Sequence, residues 1–375
     1  PETLLMLSRL PSYEAYRAAV VDGDRDRGLA IDPAVGIMWR LHGTADLSNR
    51  GEQLEAAAAA SSLLDDLGSL LSWAGRCSVR GQRALFAGDI PLALDALREA
   101  CELEPSSLFF KAQLADAARA ANRPHEIIDV FADVAPCDNG YAFKLGYAYL
   151  FAGDFEAAAE AARTFEACFP AQWWLAEDTE VLALAALGRI DEMEKAIERC
   201  LARPRGTSFA NLTTPASLMN LASWGLLFHG DQAAALSLSE RALATYRQAL
   251  EVWQLRESAE ATVEQELPMV ELLWRAGFED EAVRLNSKLV KRAPDNRELV
   301  MSAGILAARR GDRVEAEKAA AVFAGAEIAS NEIYSLACIA AQLGDTDRAL
   351  GLLRQYTTHG DVQWTWMRFD SDFEP

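Results

Sequence analysis

Small and apolar residues recur along the chain at helical spacing, in segments that are separated by short turns. The segment 139–170 is the clearest copy. Ala142, Leu145, Gly146 and Tyr149 would lie on one stripe of a first helix, because residues three and four apart share a helix face. The pattern therefore predicts an amphipathic helix, and a second one follows from Phe155 onward.

Between these two helices stands a Gly-Asp pair, Gly153-Asp154. Glycine adopts the left-handed conformation that closes a helix, and aspartate accepts hydrogen bonds from the free N–H groups that begin the next. Equivalent pairs recur with spacings of 34, 31, 35, 42, 47, 34 and 33 residues. The eight turns are Gly88-Asp89, Asn122-Arg123, Gly153-Asp154, Gly188-Arg189, Gly230-Asp231, Gly277-Phe278, Gly311-Asp312 and Gly344-Asp345. A period near 34 predicts an array of helical hairpins.

Two positions in this period carry small residues, which predicts close helix contact. One lies midway along the first helix: Gly81, Ala115, Gly146, Ser223, Gly304 and Ala337. The other lies five residues after the turn: Ala93, Ala158, Ala235, Ala282, Ala316 and Ala349. A larger side chain at either position should destabilise a hairpin by roughly 1–3 kcal/mol. Ile127 and Met193 depart from the second pattern, so we expect looser or differently angled packing there.

The period resembles the tetratricopeptide repeat over roughly residues 74–357. The resemblance rests on Gly146, Tyr149, Gly153-Asp154-Phe155, Ala158 and Pro170, and on equivalent positions in the other copies. It implies an all-α fold, a right-handed α-α superhelix of antiparallel hairpins. Generic alanine-rich helical repeats are the alternative for the fold.

The period is not uniform. The segment 203–215 contains Pro204, Gly206 and Pro215 and is predicted to be a loop, whereas 234–260 has neither glycine nor proline and predicts one lengthened helix. We therefore divide the chain into irregular N-terminal repeats or a cap (1–73), repeats (74–202), the loop and long helix (203–262), repeats (263–357) and a C-terminal capping tail (358–375). In that tail, aromatic residues would cover the last apolar face: Trp364, Trp366 and Phe369.

Charge and composition narrow the function classes. The chain of 375 residues has 36 Lys and Arg against 56 Asp and Glu, a net charge of −20. Direct nucleic-acid binding is disfavoured, because it needs clustered basic residues. A protein or peptide partner, basic or apolar, fits better. No apolar run reaches the ~18 residues of a membrane span, so we expect no membrane insertion by this segment.

Motifs for chemistry are missing from the sequence. The four histidines lie far apart, and the six cysteines show neither CxxC pairs nor metal-ligand spacing. We therefore predict no enzyme activity, no cofactor and no metal. Unpaired thiols favour a reducing compartment and hence the cytoplasm. An extracytoplasmic location stays open if an anchor precedes the segment, since the chain starts at Pro1 and reads as part of a longer protein.

A groove lined by the first helices is the candidate binding site that the repeat resemblance implies. Its predicted residues are mainly aromatic or apolar, with little positive charge: Phe143, Tyr147, Asn220, Trp224, Glu271, Trp274, Met301 and Tyr334. The Lys and Asn set with which some family members grip a terminal carboxylate is absent. We therefore expect apolar anchors of a partner to enter pockets. The alternative is that about half of these aromatic side chains only pack between hairpins.

The layout also resembles the C-terminal repeat region of bacterial signalling proteins, in which an effector domain precedes the array. The resembling segments are 11–16, 122–124 and 364–373. The resemblance implies a non-catalytic interaction or sensory module that regulates an attached effector. Two alternatives stay open, a free-standing assembly or chaperone scaffold and a substrate-docking arm of an enzyme.

Overall fold

The computed structural model describes residues 71–138, 141–203, 209–257, 260–323, 330–357 and 370–373. Their regular structure is helical, and the helices form eight antiparallel pairs in chain order. The pairs are α1 Trp73–Ala87 with α2 Ile90–Leu103, α3 Leu108–Ala120 with α4 Pro124–Phe131, α5 Phe143–Ala152 with α6 Phe155–Cys168, α7 Glu177–Ala186 with α8 Ile190–Ala202, α9 Phe209–His229 with α10 Gln232–Glu257, α12 Pro268–Arg275 with α13 Glu279–Arg292, α14 Arg297–Arg309 with α15 Arg313–Ala321, and α16 Ser330–Gln342 with α17 Thr346–Thr357. The four-residue α11, Val263–Glu266, precedes α12, and short 3-10 turns cover Pro136–Asp138, Pro170–Leu175 and Ser371–Phe373. The fold is an all-α array of tetratricopeptide-like hairpins, as predicted.

The eight predicted turns share one backbone geometry. Each turn residue has a positive φ, from 53° at Asn122 to 97° at Gly230. The next residue donates its N–H to a carbonyl five positions back, as in Asp154 N to Tyr149 O at 2.9 Å. This backbone bond closes the first helix and sets the direction of the second.

Aspartate at the turn begins the second helix in five of these hairpins. Asp154, for example, accepts a hydrogen bond from the Ala157 N–H at 3.0 Å. The capping aspartates are Asp89, Asp154, Asp231, Asp312 and Asp345. Arg123, Arg189 and Phe278 make no such side-chain bond. The prediction that one Gly-Asp pair ends the first helix and begins the second is therefore confirmed for the five hairpins that have aspartate.

Close helix contact at the small-residue positions is confirmed. A Cβ added to Gly81 would lie 2.5 Å from Leu97 Cγ, and one added to Gly146 would lie 2.8 Å from Thr179 Cγ2. The alanines five residues after the turns are 0–4% exposed. Ile127 and Met193 are buried at the same position, and their effect on hairpin angle stays a prediction.

The region of irregular spacing is helical where the structure describes it. The predicted loop over 203–215 is wrong for its second half, because α9 begins at Phe209 and contains Pro215. Hydroxyl groups of Thr213 and Thr214 donate to the Ala210 carbonyl at 3.1 and 2.8 Å, which adds hydrogen bonds around the missing proline N–H. The predicted long helix is confirmed as the 26-residue α10.

The chain divides into two compact units, with the division between Lys144 and Leu145 inside α5. In the first unit α2 packs on α3. In the second, α7 packs on α9, α10 on α12, and α14 on α16, and one large apolar core runs from Leu150 to Leu306. The five predicted segments are not tested by this division. Residues 1–70, and with them most of the predicted N-terminal cap, lie outside the described residues.

Two remaining expectations concern membranes and thiols. None of the described helices is long and apolar enough to cross a bilayer. Free thiols are found at Cys77, Cys101 and Cys338. Burial raises the pKa of Cys77 to about 11 and that of Cys101 to about 12. Cys137 and Cys168 are disulfide-bonded, so the assumption of unpaired thiols is wrong for these two, and the argument for a reducing compartment loses its basis.

Candidate functional site

Four first helices of the second unit, one of them together with the preceding residue Leu267, present an equivalent stripe of side chains. Its members lie ten, six and two residues before the turn glycine, a spacing of four that keeps them on one helix face. We call these residues the shared stripe: Asn220, Trp224 and Phe228; Leu267, Glu271 and Arg275; Met301, Ile305 and Arg309; Tyr334, Cys338 and Gln342.

Cation–π contacts and ion pairs connect the stripe from helix to helix. The Arg275 guanidinium lies 4.2 Å from the centroid of Trp224, and Arg275 Nε lies 2.7 Å from Glu271 Oε1. Arg309 Nη1 lies 2.9 Å from Glu271 Oε2, and its guanidinium lies 5.4 Å from the ring of Trp274. The structure thus brings three predicted groove residues together around two arginines.

Arg309 also binds the end of the C-terminal tail. Its Nε and Nη2 donate to the two carboxylate oxygens of Asp372 at 2.8 and 3.0 Å, a bidentate pair. The Gln342 amide donates to the Asp372 carbonyl at 3.1 Å. Asp372 is 4% exposed, so the tail carboxylate is buried against the stripe.

Tyr334 makes the second anchor for the same segment. Its hydroxyl donates to Asp370 Oδ2 at 2.6 Å, and its ring meets that of Phe373 edge-to-face at 5.6 Å. Burial and the charge of Asp370 raise the pKa of Tyr334, which keeps the phenol protonated as a donor. This predicted groove residue therefore contacts the chain's own tail.

The charges of the cluster stabilise one another. Burial acts to raise the pKa of Glu271, but Arg275 and Arg309 outweigh it and lower that pKa to about 2. Burial raises the pKa of Asp372, and Arg309 opposes this rise. The Arg275 and Arg309 side chains are only 5% and 8% exposed. Buried charges of this kind need their partners in place.

Beside the cluster lies an open cavity of about 360 Å³, within the usual size range of ligand pockets. It is lined by α11 and by three successive first helices, α12, α14 and α16. The lining residues are Glu264, Leu267, Pro268, Val270, Glu271, Glu298, Met301, Ser302, Ile305, Leu306, Arg309, Glu332 and Ser335.

The cavity is lined in about equal share by apolar and polar side chains, and we call its glutamates Glu264, Glu298 and Glu332 the acidic rim. Glu332 is neutralised by a bidentate pair with Arg297, with Nε–Oε1 and Nη2–Oε2 distances of 2.5 and 2.7 Å. Desolvation and the neighbouring charge of Glu264 raise the pKa of Glu298. Hydrogen bonds from its own backbone and from Thr262 lower the pKa of Glu264. The rim thus brings together two glutamates whose charges repel each other.

The other predicted site residues have separate surroundings. Phe143 contacts the ammonium group of Lys144, and Tyr147 donates to Asp178 Oδ2 at 3.1 Å. Asn220 Oδ1 is buried without a hydrogen-bond partner among the described residues. Met301 is 3% exposed and lines the cavity with Glu271.

The predicted residues carry little positive charge themselves, but two arginines that were not predicted, Arg275 and Arg309, contact them. Both stand two residues before a turn glycine, where Gln342 stands in the next hairpin. Extending the predicted stripe by one helical turn would have found all three from the sequence. The contact of Asp372 with α14 had no local signal, since it joins positions 63 residues apart.

A group of possible metal ligands also occurs here. Cys338, Asp370 and Asp372 place one ligand atom each within 4.8 Å of one another. Arg309 already balances the Asp372 carboxylate, while burial and Asp370 raise the pKa of the Cys338 thiol. A thiol must lose its proton to ligate a metal, so these residues fit an ion-pair cluster better than a metal site.

Comparison with known proteins gives likeness of fold only. No family model matches the chain, and no curated protein sequence matches it. Human IFIT1, solved as a dimer with m7Gppp-AAAA, is 12% identical, with 96% of this chain and 93% of that chain covered and a TM-score of 0.42. The apo quorum sensor NprR from B. thuringiensis is 13% identical, with 87% and 99% covered and a TM-score of 0.39. A Rap protein complexed with competence and sporulation factor is 12% identical, with 86% and 97% covered and a TM-score of 0.38. At these scores the fold assignment rests on the chain's own hairpins.

Proposed function

We propose that this array is a non-catalytic protein-interaction module that binds a segment of a partner protein in the cavity beside α12, α14 and α16. The observation that carries the proposal is the cavity itself. Three successive first helices line it, as expected for a groove that follows the repeat. Repeat arrays characteristically use such extended surfaces for binding.

The lining defines the chemistry of the ligand. Leu267, Pro268 and Ile305 offer apolar surface, whereas Glu264 and Glu298 offer carboxylates at the rim. A peptide with a lysine or arginine next to an apolar side chain satisfies both. The chain's net charge of −20 attracts such a peptide and opposes a phosphate backbone, so nucleic acid is not the proposed ligand.

The predicted groove residues take unequal parts in this site. Glu271 and Met301 line the cavity, while Trp224 and Trp274 lie against the arginines that hold Glu271 in place. The aromatic side chains therefore support the site instead of receiving the ligand. The resemblance to bacterial signalling proteins implies that this binding regulates an attached effector domain. A free-standing scaffold or the docking arm of an enzyme would use the same groove.

Selection from a displayed random-peptide library, followed by fluorescence polarisation with the selected peptides, tests the proposal. Ser302→Trp should fill the cavity and weaken binding at least tenfold, because Ser302 lines it without belonging to the core. Ser237→Trp on the exposed face of α10 is the matched control and should bind as the unchanged chain does. Equal affinity of both variants would exclude this cavity as the site.

A further inference from the structure

The segment Asp370–Phe373 contacts the shared stripe in the way that a bound peptide contacts a receptor. Two carboxylates, one backbone carbonyl and one aromatic ring are each met by a side chain of α14 or α16. Asp372 N–H also donates to Asp370 Oδ1 at 2.9 Å, which folds the segment into a compact turn. The recognised features are therefore those of an Asp-x-Asp-aromatic motif.

Charge balance around Arg309 indicates that the stripe is incomplete without Asp372. Arg275, Glu271 and Arg309 together carry one net positive charge in a largely buried place. Asp372 supplies the missing carboxylate, and it does so in bidentate geometry, which favours a planar carboxylate over other acceptors. Removal of the segment would leave a cation, a tyrosine hydroxyl and a glutamine amide without these acceptors.

We propose that Arg309, Tyr334 and Gln342 form a recognition site for acidic-aromatic peptides, and that the chain's own Asp370–Phe373 is its occupant in cis. A partner that carries Asp-x-Asp followed by an aromatic residue is the ligand that would replace it. This site shares Arg309 with the acid-rimmed cavity but selects ligands of the opposite charge, and it does not depend on a ligand binding in the cavity.

Tethering explains why the chain's own segment occupies the site. A segment joined to its site by a short stretch of chain acts at an effective concentration on the order of millimolar. A free acidic peptide also meets repulsion from a chain of net charge −20, which a tethered segment does not have to overcome on approach. A partner can therefore displace the chain's own segment only if it makes additional contacts, or if that segment is held less strongly in the site.

Competition in trans tests the proposal on the full chain. The probe is a capped, fluorescent peptide of residues 364–375, titrated into three receptors by fluorescence polarisation. The receptors are the unchanged chain, the double variant Asp370→Asn with Asp372→Asn, and Phe373→Ala, which removes only the ring contact and covers the case that the first variant does not fold. Both variants should bind the probe at least tenfold more tightly than the unchanged chain, because their own segment holds the site less strongly.

A second probe with asparagine in place of both aspartates identifies what is recognised. It should bind each variant at least tenfold more weakly than the acidic probe. The proposal is overturned if a folded variant binds the acidic probe no better than the unchanged chain, since the segment would then be an integral part of the fold. Equal binding of the two probes would likewise overturn the proposal, because the site would then not distinguish a carboxylate from an amide. Circular dichroism establishes folding of each receptor.

Discussion

Helices of the second unit approach one another in two different ways. Where α7 meets α9, the contact is made by small residues: a Cβ on Gly225 would lie 2.6 Å from Ala185 Cβ and 2.9 Å from the Leu182 carbonyl. Where α12 meets α14, long charged side chains bridge them, as Arg309 does to Glu271. The first contact leaves no room for a ligand, whereas the second lies beside a cavity. One repeat pattern thus gives either a dense core or a charged contact beside a cavity, depending on the side chains of its first helices.

The largest effect should come from breaking the charged contact. Arg309→Met would leave Asp372 and Glu271 without their shared cation, and we expect a loss of about 3 kcal/mol in the free energy of unfolding. Urea denaturation followed by circular dichroism measures it. Arg348→Met on α17, an exposed position, is the control and should change the value by less than about 0.5 kcal/mol. Equal stability of the two variants would show that the buried ion pairs do not hold α12, α14 and the tail together.

A smaller effect should come from the dense contact. Gly225→Ala would push a methyl group against α7 backbone atoms, and we expect a destabilisation of about 2 kcal/mol. Gly351→Ala on α17 is matched in chemistry, but it is exposed and meets nothing within 4 Å. That change should stabilise the helix by up to about 1 kcal/mol. Thermal unfolding of both variants measures these changes. Shifts of the two melting temperatures in the same direction would contradict the close approach of α7 and α9.

The smallest effect should appear in the way the free energy of unfolding depends on pH in the acid range. The folded pKa of Glu271, about 2, lies below its ordinary 4.5, so its contribution is complete above pH 4.5 and is lost as the pH falls toward 2. Solvent screening of this partly exposed side chain limits the contribution to about 1 kcal/mol. The stability difference between the unchanged chain and Glu271→Gln should shrink over that range in urea titrations at stepped pH. A difference that stays constant from pH 7 to pH 3 would refute the assignment.

The hairpin framework could be predicted from the sequence because its signals are local. Gly-Asp at a turn determines both helix ends by itself, and small residues report close approach at fixed positions in the repeat. The loop prediction over 203–215 failed for a local reason as well. The sequence predicts that Pro215 breaks a helix, although α9 includes it among hydroxyl side chains that bond to nearby carbonyls.

The candidate site could be predicted only in part. The helix face predicts four residues that the structure joins in one network or to the tail: Trp224, Glu271, Trp274 and Tyr334. Their roles were not predictable, because stacking of an arginine on an aromatic ring depends on the distance between helices that lie far apart in sequence. The docking of Asp372 likewise depends on the path of the chain after α17.

The eight turns have one further consequence. Each junction is closed by main-chain hydrogen bonds and a left-handed residue, and none of these bonds involves a side chain of the shared stripe. Substitutions along that stripe therefore leave in place the hydrogen bonds that close each hairpin. The turns and the side chains of the stripe are in this sense free to vary separately.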